Sequence, residues 1–571
     1  EGKLPQGFQW NKEARGPFGM EWQTEKGEFS SFIRDYNYGT RFYRIVLKTY
    51  SDIRWVGAPP SDIGKFGGDT DNWVWPRHTG DFSVFRIYAG KDNKPAAFSK
   101  DNVPYQPLHS LPISFKNRKV GDFTMVYGFP GQTEQHVVSS YLKFIIEKER
   151  PARIHMRDLS LNVIDAAMKA SDLTRIQYSA KQASIANAWK KWIGQIDGLR
   201  TMDAVTVKVE QERAYVEMAK TKVEWKKYAD VVDKMNDLVA AKSDLEFQYA
   251  MGAEYLSYGP EYFKLARGLN DLITNYSKYK EKGELNSVIE KLKTGAEGFF
   301  KNYDEKVDQQ IFELLTYEYL KQINQLQNYK NEIGIKSLTD VIYSKSVLTN
   351  KERYFAFLNK FNEKSLAKLK KDFGFNFYNG RISTFRNEVI PGYQNYSAEM
   401  NNLLQVYVEG KFVMFPNDKH WPDANSTLRI TYGQLEGSAP TDGMMYTEHT
   451  TLDGIIAKYN SGNPDMELLP RMLELHKAKN YGPYAQGDEL WVCFTGSNHT
   501  TGGNSGSPVL DANGHLMGLN FDRTWESTMS DYMFDASRCR NVVVDIRYVM
   551  WVMDIYSGAK HLVDEMNLVK E

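Results

Sequence analysis

The chain changes character twice along its length, and this restricts its fold more than any other feature. Residues 1–132 read as β-rich: 42–47 and 82–88 are strand-like, and 123–131 is a strand entering the turn Gly128-Phe129-Pro130-Gly131. From 133 to 404 the pattern is helical, poor in proline and rich in Lys, Glu, Ala and Leu. Ile185, Ala188, Trp189, Trp192 and Ile193 share one apolar helical face, and Leu161, Ile164 and Met168 share another. No heptad is sustained, so the block reads as a packed helical domain rather than a coiled coil. From 405 to 571 the β pattern returns, as at 428–432, and 545–556 reads as a closing helix. A chain of 571 residues exceeds one hydrophobic core. The expectation is an α+β multidomain protein in which a helical block (133–404) interrupts a β protein (1–132 and 405–571).

Composition removes several function classes. Lys plus Arg and Asp plus Glu are 72 each, which gives no electrostatic reason for a nucleic acid or an anionic membrane as partner. No apolar run reaches the roughly 20 residues that span a bilayer. The two cysteines, Cys493 and Cys539, make neither a metal site nor a disulfide framework; they read as buried thiols or as one bridge. No signal peptide pattern is present, and Glu1 stands where a natural start has Met, so a removed leading segment is expected.

The strongest chemical signal is Thr501-Gly502-Gly503-Asn504-Ser505-Gly506-Ser507-Pro508. Glycines let the backbone turn tightly and leave N–H groups free. Those of Gly503 and Ser505 are candidates to hold the oxyanion of a tetrahedral intermediate, with Ser505 Oγ the attacking atom. The string is built like the nucleophile loop of a chymotrypsin-type protease; its bland alternative is a glycine-rich hairpin loop. A strand at 508–510, a turn through Asn513-Gly514 and a return strand at 515–521 follow. A turn centred on Asn513 and Gly514 opposes residues whose numbers sum to 1027, which sets Asp522 opposite Ser505 and Arg523 opposite Asn504. Both then arrive where a protease keeps its primary specificity pocket. The Arg523 guanidinium suits a carboxylate there; a surface pair with Asp522 or Glu526 is the alternative.

A triad also needs an acid and a base. Asp81, at the end of Gly67-Gly68-Asp69-Thr70-Asp71-Asn72-Trp73-Val74-Trp75-Pro76-Arg77-His78-Thr79-Gly80-Asp81, is expected to open a strand and so to hold its carboxylate rigidly. Asp69 and Asp71 are weaker candidates, and the loop lacks the alternating ligands and distal Glu of an EF-hand calcium site.

Together, the string from Gly67 to Asp81, the Gly-Asn-Ser-Gly-Ser-Pro loop and Asn520-Phe521-Asp522-Arg523 with Trp525-Glu526 resemble the bacterial dipeptidyl-peptidase 7 and 11 family across nearly the whole chain. The resemblance implies a chymotrypsin-like double β-barrel with a large inserted helical domain, which would roof the cleft and favour an exopeptidase. It implies Ser505 as nucleophile and Asp81 as triad acid. It implies Asn72, Trp73, Asn187 and Asp522 as the residues that bind the substrate's free amino terminus, and Arg523 as the specificity residue of the type preferring Asp or Glu at the second position. A cationic α-amine can pair with Asp522 and donate to the Asn72 and Asn187 carbonyls. Asn187 lies opposite the apolar stripe of its helix; plain solvent exposure is its alternative reading, and core packing is that of Trp73. Further implications are oligopeptide substrates, a homodimer, a periplasmic or cell-surface location serving peptide nutrition, and no metal or cofactor.

One departure stands out. The family's base is a histidine preceding the acid, and here only His78 precedes Asp81, three residues away, where its expected role is structural. His499 precedes Ser505 by six residues. The expectation is that the part of the first barrel bearing the base is absent from this chain. Three rival readings follow: the same family with an apolar second-residue preference, a trypsin-like endopeptidase, and a catalytically incompetent peptide-binding fragment.

Overall fold

The computed structural model describes residues 21–23, 29–329 and 331–569 of the chain. The chain is a mixed helix-and-strand protein of two compact units. The first comprises residues 1–137, 194–230 and 404–571; the second comprises 138–193 and 231–403. Residues 194–230 lie inside the span read from sequence as helical insertion, yet they group with the β-rich unit. The 30-residue helix Asp172–Thr201 runs through position 193/194 without a break. Its last turns pack on the β-rich unit: a Cβ at Gly194 would lie 2.6 Å from Thr528 Oγ1, and one at Gly198 2.7 Å from Met529 Cγ. Close approach of this kind selects glycine.

In the first unit, β1 (Glu21–Gln23), β2 (Ser30–Tyr36) and β3 (Arg41–Leu47) form one antiparallel sheet, and β4 (Asp52–Gly57), β5 (Val84–Ala89) and β6 (Val103–Pro104) form another. The main sheet contains β7 (Ile113–Ser114), β8 (Phe123–Gly128), β9 (Arg429–Gln434), β10 (His449–Thr451), β11 (Trp491–Gly496), β12 (Ser507–Leu510), β13 (Leu516–Arg523), β14 (Asn541–Asp545) and β15 (Leu568–Val569). Its main path runs β10-β11-β14-β13-β12-β8-β9. A bridge from Leu435 to Gly496 and the bond from Ser497 N to Gln434 O (3.0 Å) then return β9 to β11. The path from β11 to β9 therefore curls back on itself at this end. Its interior holds Val126, Leu435, Trp491, Phe494, Val509, Met517 and Val543, contributed by every strand of the path or the residue just after it. A second core joins β11 and β14 to the helix Ile546–Trp551, to Ile63 and Phe66 just before the Gly67–Asp81 segment and to Trp75 within it. Asp545 caps that helix by accepting from Arg547 N (2.7 Å) and also pairs with buried Arg118. Cys493 and Cys539 are both buried, free thiols.

The second unit is helical. Leu161, Ile164, Ile185 and Trp192 of the expected faces are buried. The Trp192 ring lies under three guanidiniums, those of Arg153 (4.0 Å), Arg157 (4.5 Å) and Arg150 (5.3 Å). Glu254, also buried, neutralises two of them, with Arg157 Nε at 2.7 Å and Arg153 Nη2 at 3.0 Å. Asp308 is fully enclosed and gathers the amide of Glu261 (2.5 Å) and the hydroxyls of Tyr343 (2.9 Å) and Tyr303 (3.1 Å). Burial, reinforced by Glu261, lifts its carboxyl to about 7.

Candidate active site

The nucleophile loop sits between β11 and β12 and is shaped by its own side chains. Thr501 N donates to Asn504 Oδ1 (3.0 Å), and Asn504 N donates back to Thr501 O (3.0 Å). Asn520 Nδ2 holds Asn504 O (3.3 Å), and Asn541 in turn donates to Asn520 Oδ1 (2.8 Å). Gly503 has φ +107°, and a Cβ there would meet Phe129 O at 2.4 Å and Gly131 N at 2.7 Å, so only glycine fits. Ser505 is exposed at the tip, its Oγ donating to Phe521 O (3.2 Å). Among the described residues, the N–H groups of Gly503 and Ser505 have no acceptor.

The hairpin keeps the expected sum of 1027 at Ser507–Asn520, Pro508–Leu519 and Val509–Gly518. It reaches that register differently. The turn closes at Asp511–His515, with Gly514 at φ +79°, and a bulge at Met517 restores the count. The ladder begins at Ser507, so Ser505 and Asn504 are not paired strand residues; Gly506 N donating to Asn520 O (2.7 Å) is the first link. A second bulge, at Phe521, precedes Asp522 and Arg523, which pair with Val542 and Asn541 of β14.

Asp522 is largely buried and has two partners. Its Oδ2 takes Arg77 Nη1 at 2.7 Å and its Oδ1 takes Arg523 N at 2.8 Å. Arg77 is itself fixed by Asp71 O (2.9 Å), by Thr79 Oγ1 (2.8 Å) and by the Phe521 ring 5.2 Å away. Asp81 lies three residues before β5 rather than at its start, held in irregular backbone. Its outer face is exposed, yet partial desolvation raises its carboxyl above the usual range; Arg77 opposes this shift and Asp522 adds to it. Arg77, Asp522 and Asp81 thus form one electrostatic group joining the Gly67–Asp81 segment to the β12–β13 hairpin. Sequence reasoning gave Arg77 no role, although it stands inside the motif.

Arg523 is not the surface residue of the alternative reading. It is buried, and its partner is Asp531, with Nη1 to Oδ1 at 2.8 Å and Nη2 to Oδ2 at 3.2 Å. No sequence signal marks Asp531, which ends the short helix Trp525–Asp531. Trp73 is buried with its ring centroid 5.6 Å from the Arg523 guanidinium, and its φ of +68° is a conformation that bulky residues avoid. Asn72 is half-buried beside it in the chain. Asn187 is exposed on the long helix, within the second unit.

Among the described residues no histidine hydrogen-bonds Ser505 or Asp81. His78 is buried with its Nε2 against Gly454, and burial depresses its pKa to about 3. His499 stacks on Phe534 (4.5 Å), and its Nε2 faces Ser530 O (2.9 Å). No cluster of His, Cys, Asp and Glu among the described residues has a metal-binding arrangement, and no helix among them is long and apolar enough to cross a membrane.

Known proteins resemble this chain along almost all of its length. The Asp/Glu-specific dipeptidyl-peptidase of Flavobacterium psychrophilum is 39% identical over 560 residues, 96% of this chain and 76% of that protein. That of Capnocytophaga gingivalis is 40% identical over 93% of this chain and 75% of its own length. Dipeptidyl-peptidase 7 of Phocaeicola vulgatus is 36% identical over 93% and 74%. The crystal structure of Porphyromonas endodontalis DPP11 in complex with the dipeptide Arg-Glu superposes with a TM-score of 0.83 at 30% identity, covering 95% of this chain and 78% of that one. The model of the family Peptidase S46 matches residues 18–568. The chain belongs to the peptidase S46 family and is a serine-type peptidase.

Proposed function

We propose that this protein is a dipeptidyl-peptidase that releases N-terminal dipeptides from oligopeptides with Asp or Glu at the second position. The observation that carries the reading is the β12–β13 register, which brings Asp522 and Arg523 to the flank of the Ser505 loop. The relatives named Asp/Glu-specific dipeptidyl-peptidase support it. In this reading the substrate's α-amine docks on Asp522, Asn72 and Asn187, with Trp73 shaping the pocket. The distance from that anchor to Ser505 fixes the product as a dipeptide. Arg523 receives the acidic side chain. Ser505 attacks the next carbonyl, and the N–H groups of Gly503 and Ser505 stabilise the oxyanion. A histidine takes the serine proton while Asp81 orients it. Water then frees the dipeptide without metal or cofactor. The double-barrel architecture, with the helical residues 133–404 as an insertion, the homodimer, and a periplasmic or cell-surface role in peptide nutrition belong to the same proposal.

The test is hydrolysis of fluorogenic Leu-Asp, Leu-Glu and Leu-Leu substrates and of amino-blocked Leu-Asp. Cleavage of only the unblocked acidic pair supports the reading. Cleavage of Leu-Leu removes the acidic preference, and cleavage of the blocked substrate indicates an endopeptidase. A peptide-binding role without turnover is the second reading; among the described residues Ser505 Oγ donates to Phe521 O and not to a histidine. Binding of Leu-Asp with no cleavage of any substrate decides for it.

A further inference from the structure

A guanidinium offers two planar edges that can each take a carboxylate bidentately, Nη1/Nη2 at the end and Nε/Nη2 at the side. In Arg523 these edges differ. The end edge is filled by Asp531, and Nη1 donates in addition to Ser530 Oγ (2.9 Å) and Thr500 O (3.2 Å). The side edge is not filled: Nε is buried and has no acceptor among the described residues. A buried donor of this kind is costly unless something else satisfies it.

Asp531 is fixed in place. Its Oδ1 also accepts from Thr501 Oγ1 (2.7 Å), in the nucleophile loop, and its Oδ2 from Gln195 Nε2 (2.9 Å). Held from several directions, it does not swing away to yield the end edge. It also neutralises a cation that would otherwise be buried unpaired, which is strongly destabilising.

We infer that Asp531 is a specificity-determining residue: it occupies the end edge of Arg523, so that an acidic substrate side chain is received on the Nε/Nη2 edge as the second carboxylate on one arginine. The inference rests on the reading of Arg523 as the residue that selects acidic substrates. Two consequences follow. A lysine cannot replace Arg523, because its compact ammonium would be drawn to Asp531 and present no second edge. Asp531 also opposes the incoming acid. Two like charges about 6 Å apart at an effective dielectric near 20 repel enough to weaken binding roughly a hundredfold, which favours release of an acidic product.

The test is calorimetric binding of the dipeptides Leu-Asp and Leu-Asn, a neutral isostere, which needs no turnover. The wild-type protein is expected to prefer Leu-Asp; equal binding would refute the underlying assignment of Arg523. Given that preference, Arg523→Lys is expected to bring the affinity ratio close to one. Adding Asp531→Asn to Arg523→Lys is expected to restore the preference at least tenfold, because the ammonium is released toward the ligand. A preference that survives Arg523→Lys, or a double variant that recovers none, overturns the inference. A merely structural Asp531 gives no such rescue. If the double variant does not fold, Asp531→Asn alone carries the test: the preference for Leu-Asp should rise about tenfold to a hundredfold, and an unchanged or lower ratio overturns the inference.

Discussion

His78 gives a sharp test of how the Gly67–Asp81 segment is built. It is 4% exposed, its Nδ1 has no hydrogen-bond partner among the described residues, and Lys458 adds a repulsive positive charge. Burial is the larger cause, and together they lower its pKa from 6.5 to about 3. The unfolded chain takes up a proton below about 6.5, whereas the folded chain does so only near 3. The stability this residue supports is therefore present above pH 6.5 and is lost progressively as the pH falls toward 3. Between pH 7 and pH 4.5 the shift corresponds to a loss of about 2–3 kcal/mol. His78→Gln keeps a polar side chain of similar reach but does not titrate. Urea unfolding of both proteins at pH 7 and pH 4.5, followed by tryptophan fluorescence, isolates the residue, since every other titrating group is common to the two. The wild type should lose about 2–3 kcal/mol more than the variant on acidification. Equal losses would show that His78 protonates normally in the folded protein, and the buried structural role assigned to it would be wrong.

Other substitutions probe the site. Gly503→Ala forces a Cβ into backbone atoms at 2.4 and 2.7 Å, so the loop must shift; turnover should fall about 100-fold or more with circular dichroism unchanged, and near-normal turnover would remove Gly503 from the oxyanion site. Arg77→Met strands the largely buried Asp522 carboxylate and should cost about 3 kcal/mol in denaturant unfolding; a loss under 1 kcal/mol would mean that solvent compensates it. Asp522→Asn should raise KM for substrates with a free amino terminus about 10-fold to 100-fold with a smaller change in kcat, read from steady-state kinetics; an unchanged KM would deny Asp522 its amine-binding role. Burial raises the Cys539 thiol to about 11 and pushes Cys493 higher still, so both should resist a thiol reagent in native protein and react only on unfolding; rapid native labelling would contradict their burial.

The parts of this protein that were legible in its sequence rest on local chemistry. The positive φ of Gly503 is a local demand of its loop, although the Phe129 and Gly131 backbone that would block a Cβ there is brought by the fold, and the Asn513-Gly514 turn signal sets a hairpin whose β12–β13 register comes within one bulge of its observed form. Helical periodicity marked the buried faces around Leu161 and Trp192. Strand-like runs at 42–47, 82–88, 123–128 and 428–432 became β3, β5, β8 and β9, because each carries β-branched and aromatic residues between turn signals.

What only the tertiary structure decided depends on residues far apart in the chain. Arg77 and Asp522 are 445 positions apart, and their 2.7 Å pair exists only once the Gly67–Asp81 segment packs on β13. Gln195 and Asp531, 336 positions apart, meet because the long helix ends against the β-rich unit. The same packing explains why residues 194–230 leave the helical block: helical pattern identifies an element, but the burial of its faces decides which core it joins. Sequence named Arg523 as a cation near the serine; only the fold showed that one of its edges is already taken.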